Sequence, residues 1–293
     1  MSSEYHPAPP HASEIAARLG LHRAGRGWRG DCPLCTYCAS LTLDIGEGGH
    51  PLVWCASCGD SAGLARLLRS MGGLPERPEA PTPDRQPEAE RLAERRERAQ
   101  GLWNGAEPLT PDCPAGLYLA RRKIEAVMTS PALRWRRDMP HPAGGRRLAL
   151  LARIDGPDGK LQGVQRIFLK PDGTKADIEP QKATLGRMAG GAIRLQAAST
   201  KLTVAEGLES AAAAGAILGL PAWAAISAGN MARSLILPAE ICSIIITADH
   251  DEPGLRAAED AATRWRDEGR SVRVIRACRP GTDANDILVQ AQP

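Results

Sequence analysis

The stretch that most constrains the fold is Ile244-Ile245-Ile246-Thr247-Ala248, a mostly β-branched run that ends in Asp249-His250-Asp251. Such a run, with no polar alternation, predicts a strand buried on both faces, as in a parallel sheet covered by helices. An earlier run, Leu202 to Ala205, repeats the design: it stops at Glu206-Gly207 and leads into the alanine-rich, helix-like segment Leu208 to Leu218. Both acidic groups therefore stand at strand C-termini, which in an open parallel sheet line one crevice. Glu206, Asp249 and Asp251 are expected to converge there, and Asp249 and Asp251, two apart in extended backbone, face the same way. Carboxylates gathered in this way repel one another, so a proton or a cation has to intervene. Mg²⁺, or Mn²⁺ in its place, suits a sparse acidic edge that leaves room for waters and substrate phosphates. The competing role for each acid, taken singly, is to cap the helix that follows. Two acidic strand ends in this order favour the metal.

Val204-Ala205-Glu206-Gly207, followed by Ala248-Asp249-His250-Asp251-Glu252-Pro253-Gly254, resembles the Toprim domain shared by DnaG-type primases, topoisomerases and certain nucleases. The segment from Arg279 to Asp286 is similar to the acidic stretch that closes this domain in primases, and the resemblance is nearest to primase-like Toprim proteins of phages, prophages and plasmids. It implies catalytic roles for Glu206, Asp249 and Asp251, and a Mg²⁺ site drawn from Glu206, Glu209, Asp249, Asp251, Asp283 and Asp286. Glu209 enters through the Glu-Gly-x-Glu form of the motif in that group. Cellular primases carry an aspartate one position later, where this chain has Ser210.

A second constellation lies near the N-terminus: Cys32-Pro33-Leu34-Cys35, nineteen intervening residues, then Cys55-Ala56-Ser57-Cys58. That spacing is the C-x2-C…C-x2-C pattern of a structural zinc site, in which four thiolates leave no open position for catalysis. Leu41, Leu43 and Ile45 alternate with polar residues, and Leu52-Val53-Trp54 resumes a strand, so a β zinc ribbon is expected. Cys38 and His50 are taken as non-ligands. The segment resembles the zinc-binding domain that precedes Toprim in primases, where it contacts single-stranded template. Trp28, Tyr37, Trp54, Arg23, Arg26 and Arg29 are the corresponding candidates for stacking and phosphate contact.

Between these poles the chain divides by composition. Residues 1–73 form the zinc-ribbon region, 74–87 a proline-punctuated linker, 88–104 a charged helix docked along one edge, 105–200 a basic α+β subdomain, and 201–293 the mostly parallel α/β Toprim domain. A hairpin is expected from Arg147 to Lys170, and Ser227 to Asn230 reads as a loop. Net charge is only +3, so any nucleic-acid surface has to be local, and residues 114–200 are where basic side chains outnumber acidic ones. Arg153, Arg166, Lys170, Lys175, Lys182 and Arg187 are the nucleotide and DNA-binding candidates. No apolar run reaches the roughly 18 residues of a membrane span, and no signal-peptide pattern opens the chain, so a cytoplasmic protein with reduced cysteines is expected.

Taken together, the resemblance implies a DNA primase that joins ribonucleoside triphosphates on single-stranded DNA, with a replicative helicase recruited in trans. A topoisomerase needs a nucleophilic tyrosine in a further domain, and only Tyr5, Tyr37 and Tyr118 exist. A Toprim nuclease fused to an ATPase would carry a G-x4-G-K-[ST] loop, which is absent. The remaining rivals are a Toprim nuclease, a non-catalytic zinc and Toprim DNA-binding protein of the recombination-mediator kind, and a primase-derived protein that has changed task, for instance in plasmid or phage defence.

Overall fold

The computed structural model of the chain describes residues 10–25, 27–36, 39–46, 51–70, 88–198, 200–276, 279 and 281–291. The chain divides into two compact units, Met1–Arg85 and Gln86–Pro293. The expected linker at 74–87 lies outside the described residues.

The first unit holds α1 (Pro10–Arg18), β1 (His22–Ala24), β2 (Gly27–Gly30), β3 (Leu41–Ile45), β4 (Pro51–Cys55) and α2 (Ser61–Ser70). The strands form one antiparallel sheet in the order β1-β2-β3-β4. Alternation along β3 turns Leu41 and Leu43 inward, where they meet Ala12, Ile15 and Ala16 of α1 and Leu64 and Leu68 of α2. Burying each leucine contributes about 1.5–3 kcal/mol. Asp60 caps α2 by accepting the Gly63 amide at 2.7 Å.

The second unit begins with α3 (Glu88–Asn104) and α4 (Pro114–Arg121), then β5 (Leu133–Pro140), β6 (Arg146–Asp155), β7 (Leu161–Leu169) and β8 (Lys182–Gly186), which form an antiparallel sheet in sequence order. The β6–β7 pair is the hairpin expected from the sequence, turning at Gly159 with φ +72°. Cys113 is spent as the cap of α4, its Sγ accepting the Gly116 amide at 3.2 Å. Helix α3 lies against β7 and the edge strand β8, burying Ala99 and Trp103 and donating from Arg96 Nε to the Leu161 carbonyl at 2.8 Å.

The chain continues through β9 (Ile193–Arg194), β10 (Lys201–Ala205), α5 (Leu208–Leu218), β11 (Ala222–Ala224), α6 (Ala228–Arg233), β12 (Ser243–Ala248), α7 (Glu252–Asp267), β13 (Ser271–Arg276) and α8 (Ala284–Ala291). The sheet order is β13-β12-β10-β11-β9, parallel except for β9 against β11. The segment read as a loop at Ser227–Asn230 instead opens α6, because the Ser227 hydroxyl accepts the Asn230 amide at 3.2 Å and caps a short helix. One core runs through both sheets: Tyr118, Trp135, Leu150 and Ile154 are continuous with Ala205, Leu208, Ala211 and Leu288. The compositional boundary near residue 200 leaves the core undivided, and β9, which precedes it, already belongs to the second sheet. Among the described residues no helix is long and apolar enough to cross a membrane.

Candidate active site

Register sets the acidic residues level. Ala205 of β10 stands opposite Thr247 of β12, so Glu206 and Asp249 leave neighbouring strands within one residue of the same height. A third wall comes from the loop before α8, tied to the end of β12 by two backbone hydrogen bonds: His250 N to Thr282 O at 3.0 Å and Gly281 N to His250 O at 2.8 Å. The result is a cleft of about 180 Å³ lined by Asp249, His250, Asp251, Gly281, Thr282, Asp283 and Asp286. His250 Nδ1 is buried there with no hydrogen-bond partner among the described residues.

Electrostatics agree with the geometry. Burial, and then the charges of Glu206, Asp283 and Asp251, push the Asp249 carboxyl up to about 7, against a smaller opposing hydrogen bond from Ser210. A group held that far up takes either a proton or a cation at neutral pH. Several acids also cap, as their alternative reading required. Asp251 Oδ1 accepts the Gly254 amide at 2.7 Å and starts α7, while Asp283 and Asp286 accept each other's amides at 2.8 and 3.1 Å and start α8. Asp283 Oδ2 also accepts the Ser210 hydroxyl at 2.9 Å. Apart from the His250 ring, the donors offered are carboxylate oxygens, which fits a divalent cation such as Mg²⁺. Among the described residues only the four cysteines form a set of donors all within 4.8 Å of one another, so the carboxylates are spread more widely. That spacing suits an ion that keeps waters and substrate phosphates in its shell.

Glu209, expected among the metal ligands, is turned away from this cleft. The side chain is buried, accepts the Tyr118 hydroxyl and the Lys182 ammonium (3.1 Å), and pairs with Lys175 at 3.4 Å. Burial opposes its ionisation, but the two lysines and Tyr118 outweigh that and hold the carboxyl well below the usual range. The cause is helical geometry: Glu209 and Ser210, adjacent on the first turn of α5, project about 100° apart. Ser210 takes the side of the acids, and Glu209 takes the side of the lysines.

The basic candidates separate on inspection. Lys175 and Lys182 meet on Glu209, Arg153 pairs with Asp155 at 2.5 Å, and Lys170 pairs with Asp177 at 2.6 Å. Arg187 is exposed just past β8. Arg166 is almost wholly buried. It is 8% exposed on β7, a strand covered on both faces, donates from Nη1 to the Pro140 carbonyl at 2.9 Å, and has a desolvated guanidinium whose pKa is lowered. Sequence reasoning did not single out Tyr118, Arg122, Ser210 or Asn285 as site-building groups. Nothing local marks them, since their partners are 73 to 163 residues away.

In the first unit, Cys32, Cys35, Cys55 and Cys58 come together as the spacing requires. Cys32 and Cys58 sulfurs are 3.8 Å apart, and those of Cys35 and Cys55 are 3.6 Å apart. A tetrahedral zinc with bonds of about 2.3 Å sets sulfurs about 3.8 Å apart, so the donor set fits. Around Cys55 a supporting shell is already built: the Ser40 hydroxyl lies at 3.2 Å, with the Ser57 and Cys58 amides at 3.3 Å. Burial opposes ionisation of Cys55, yet these donors bring its thiol down to about 7. Cys38, His50, Tyr37 and Arg26 lie outside the described residues. Trp28 is a core residue with Arg23 stacked 4.4 Å over its ring, whereas Trp54 is 53% exposed in a cross-strand row with Thr42 and the exposed Arg29. Of the two tryptophans in this unit, only Trp54 is open to a stacking base.

Acidic strand ends on a parallel sheet, closed by an acidic loop before the last helix, define the class: residues 201–293 are a Toprim domain, and its family profile matches that span. A domain of unknown function, DUF7146, matches residues 93–195. In fold the chain is similar to the primase fragment of the bacteriophage T7 primase-helicase, at 14% identity over 90% of this chain and 95% of that one, with a TM-score of 0.41. It is similar to the DnaG catalytic core at 15% identity over 67% and 75%, with a TM-score of 0.48. A DNA primase domain from Pseudomonas aeruginosa gives 18% identity over 58% of this chain and 55% of that one, with a TM-score of 0.37, so the match spans about half of that relative. No curated protein sequence matches the chain.

Proposed function

We propose that the protein is a DNA primase, which makes short RNA primers on single-stranded DNA by metal-dependent nucleotidyl transfer. The observation that carries this reading is the convergence of Glu206, Asp249, Asp251 and Asp283 at the crevice of the Toprim sheet, with Lys175 and Lys182 gathered behind the same helical turn. Asp249 and Asp251 hold the cation, Glu206 stands beside them, and Asp283 and Asp286 close the acidic edge. A bound Mg²⁺ would activate the primer 3′-hydroxyl and neutralise charge on the triphosphate. Lys175 and Lys182 receive phosphate oxygens as point charges, and Arg153, Lys170 and Arg187 add basic surface along the antiparallel sheet. The zinc ribbon engages template through Trp54 and Arg29. A replicative helicase is recruited in trans.

The test is primer synthesis on single-stranded DNA with labelled ribonucleotides and Mg²⁺. Wild type is expected to yield short RNA, and Asp249→Ala to lose about a hundredfold or more of that activity, the scale of several kcal/mol of lost charge stabilisation. Absence of products on varied templates, with DNA binding intact and equal in both proteins, would instead point to a non-catalytic DNA-binding protein.

A further inference from the structure

Glu209 sits at the junction of three segments. Tyr118 comes from α4, Lys175 from the turn after β7 and Lys182 from the start of β8, and all three meet the one carboxylate, 5% exposed, on α5. The node is braced from α8 as well. Arg122 lies 5.8 Å over the Tyr118 ring and donates to Asn285 Oδ1 at 3.4 Å, while Asn285 Nδ2 donates back to the Arg122 carbonyl at 2.7 Å. The lysine side chains are nonetheless 24% and 37% exposed. Each ammonium has three donors and spends one on Glu209, so both keep hydrogen-bonding capacity toward solvent.

Resting on the primase reading for its substrate, we propose that Glu209 is a positioning residue and not a metal ligand: its buried carboxylate holds Lys175 and Lys182 as one cationic platform for the phosphate chain of the incoming nucleotide. Lys175 faces Glu209, Lys182 and Arg122, and burial already lowers its pKa. Without Glu209, three cations would confront one another with no carboxylate between them, so an ammonium would shed its proton or swing away. Either change removes a phosphate partner. The adjacent Ser210 bonds Asp283 on the other side of the same turn, so one helical turn sets the distance between platform and acidic cleft.

The experiment uses the full chain and two readouts: binding of inorganic tripolyphosphate by calorimetry without divalent metal, and the kinetics of primer synthesis. Glu209→Gln and Lys182→Gln are each expected to weaken tripolyphosphate binding about tenfold and to raise the nucleotide KM similarly, with kcat and the Mg²⁺ half-saturation moving less than about threefold. The double variant should be no worse than about tenfold, because each change removes the same platform. A Mg²⁺ half-saturation raised about tenfold by Glu209→Gln would mark a metal ligand and overturn the proposal, as would unchanged tripolyphosphate binding or losses that multiply in the double variant. Should Glu209→Gln not fold, Lys175→Gln and Lys182→Gln decide the matter: reduced affinity in both supports the platform, and unchanged affinity in both overturns it. Wild type that binds tripolyphosphate through these residues but makes no primers would retire the primase reading alone.

Discussion

Asp249 carries the sharpest consequence at the scale of single residues. Its carboxyl, pushed up to about 7 by burial and by Glu206, Asp283 and Asp251, stays protonated in the folded protein where an unfolded chain has already released the proton. The unfolded state therefore binds fewer protons between about pH 4 and pH 7, and metal-free stability falls as pH rises through that window, by up to about 3–4 kcal/mol. Asp249→Asn removes the penalty. In scanning calorimetry without metal, the variant is expected to melt above wild type at pH 7.5, and the gap should close below about pH 4. Adding Mg²⁺ should raise the wild-type midpoint and leave the variant nearly unmoved. A variant that melts below wild type at pH 7.5 would show that no strained acidic cluster exists. Glu206, Asp249 and Asp251 were legible in the sequence because they follow recognisable strands, whereas Asp283, in the loop before α8, was reached only through the resemblance of its segment to primases. The orientation of Glu209 was not legible, since Tyr118 lies 91 residues away and Lys182 lies 27 away, and only the fold decides which side of α5 each first-turn residue faces.

Helix α5 shows how an element is fitted to the sheet beneath it. Its alanines let it lie close to β10 and β11, and Gly215 makes the closest approach: a Cβ there would stand 2.8 Å from Ala222 Cβ and 3.1 Å from the Leu220 carbonyl oxygen. Gly101 on α3 has nothing within 4 Å of the same construction. The same substitution therefore carries opposite signs. Gly101→Ala is expected to stabilise the protein by about 0.5–1 kcal/mol through helix propensity, and Gly215→Ala to destabilise it by about 1–2 kcal/mol through overpacking. Urea unfolding followed by circular dichroism measures both, and equal shifts would refute the close contact. Long, apolar elements such as α5 and β12 could be read directly from the chain. Strand β5 escaped because Arg134 and Arg136 alternate with its inward residues and Arg137 follows at a bulge, so the segment read as basic surface, although Leu133 and Trp135 are buried. Strand β9, at two residues, is too short to leave a pattern, and it is the pairing with β11 that creates it.

For the molecule as a whole, the near-neutral charge of +3 hides a segregation that only the fold reveals, with carboxylates at one sheet crevice and lysines gathered on the other side of a single helical turn. The cores are segregated too. Leu41, Leu43, Leu64 and their neighbours form one cluster in the first unit, while the large core through Tyr118, Leu150 and Ala211 belongs entirely to the second. The first core is small, and in small domains a structural metal supplies much of the folding free energy, since the ligand set forms only when the chain folds. The second core contains none of the four zinc-ligand cysteines. Chelation should therefore unfold one unit and spare the other. In hydrogen exchange on the intact chain, a zinc chelator is expected to release the amides of β2, β3 and β4, with protection in β6, β10 and β12 preserved. Cys58→Ser should reproduce the effect without chelator. Zinc loss that also deprotected β12 would mean the two cores are energetically coupled, and zinc would then have to be counted among the supports of the acidic cleft.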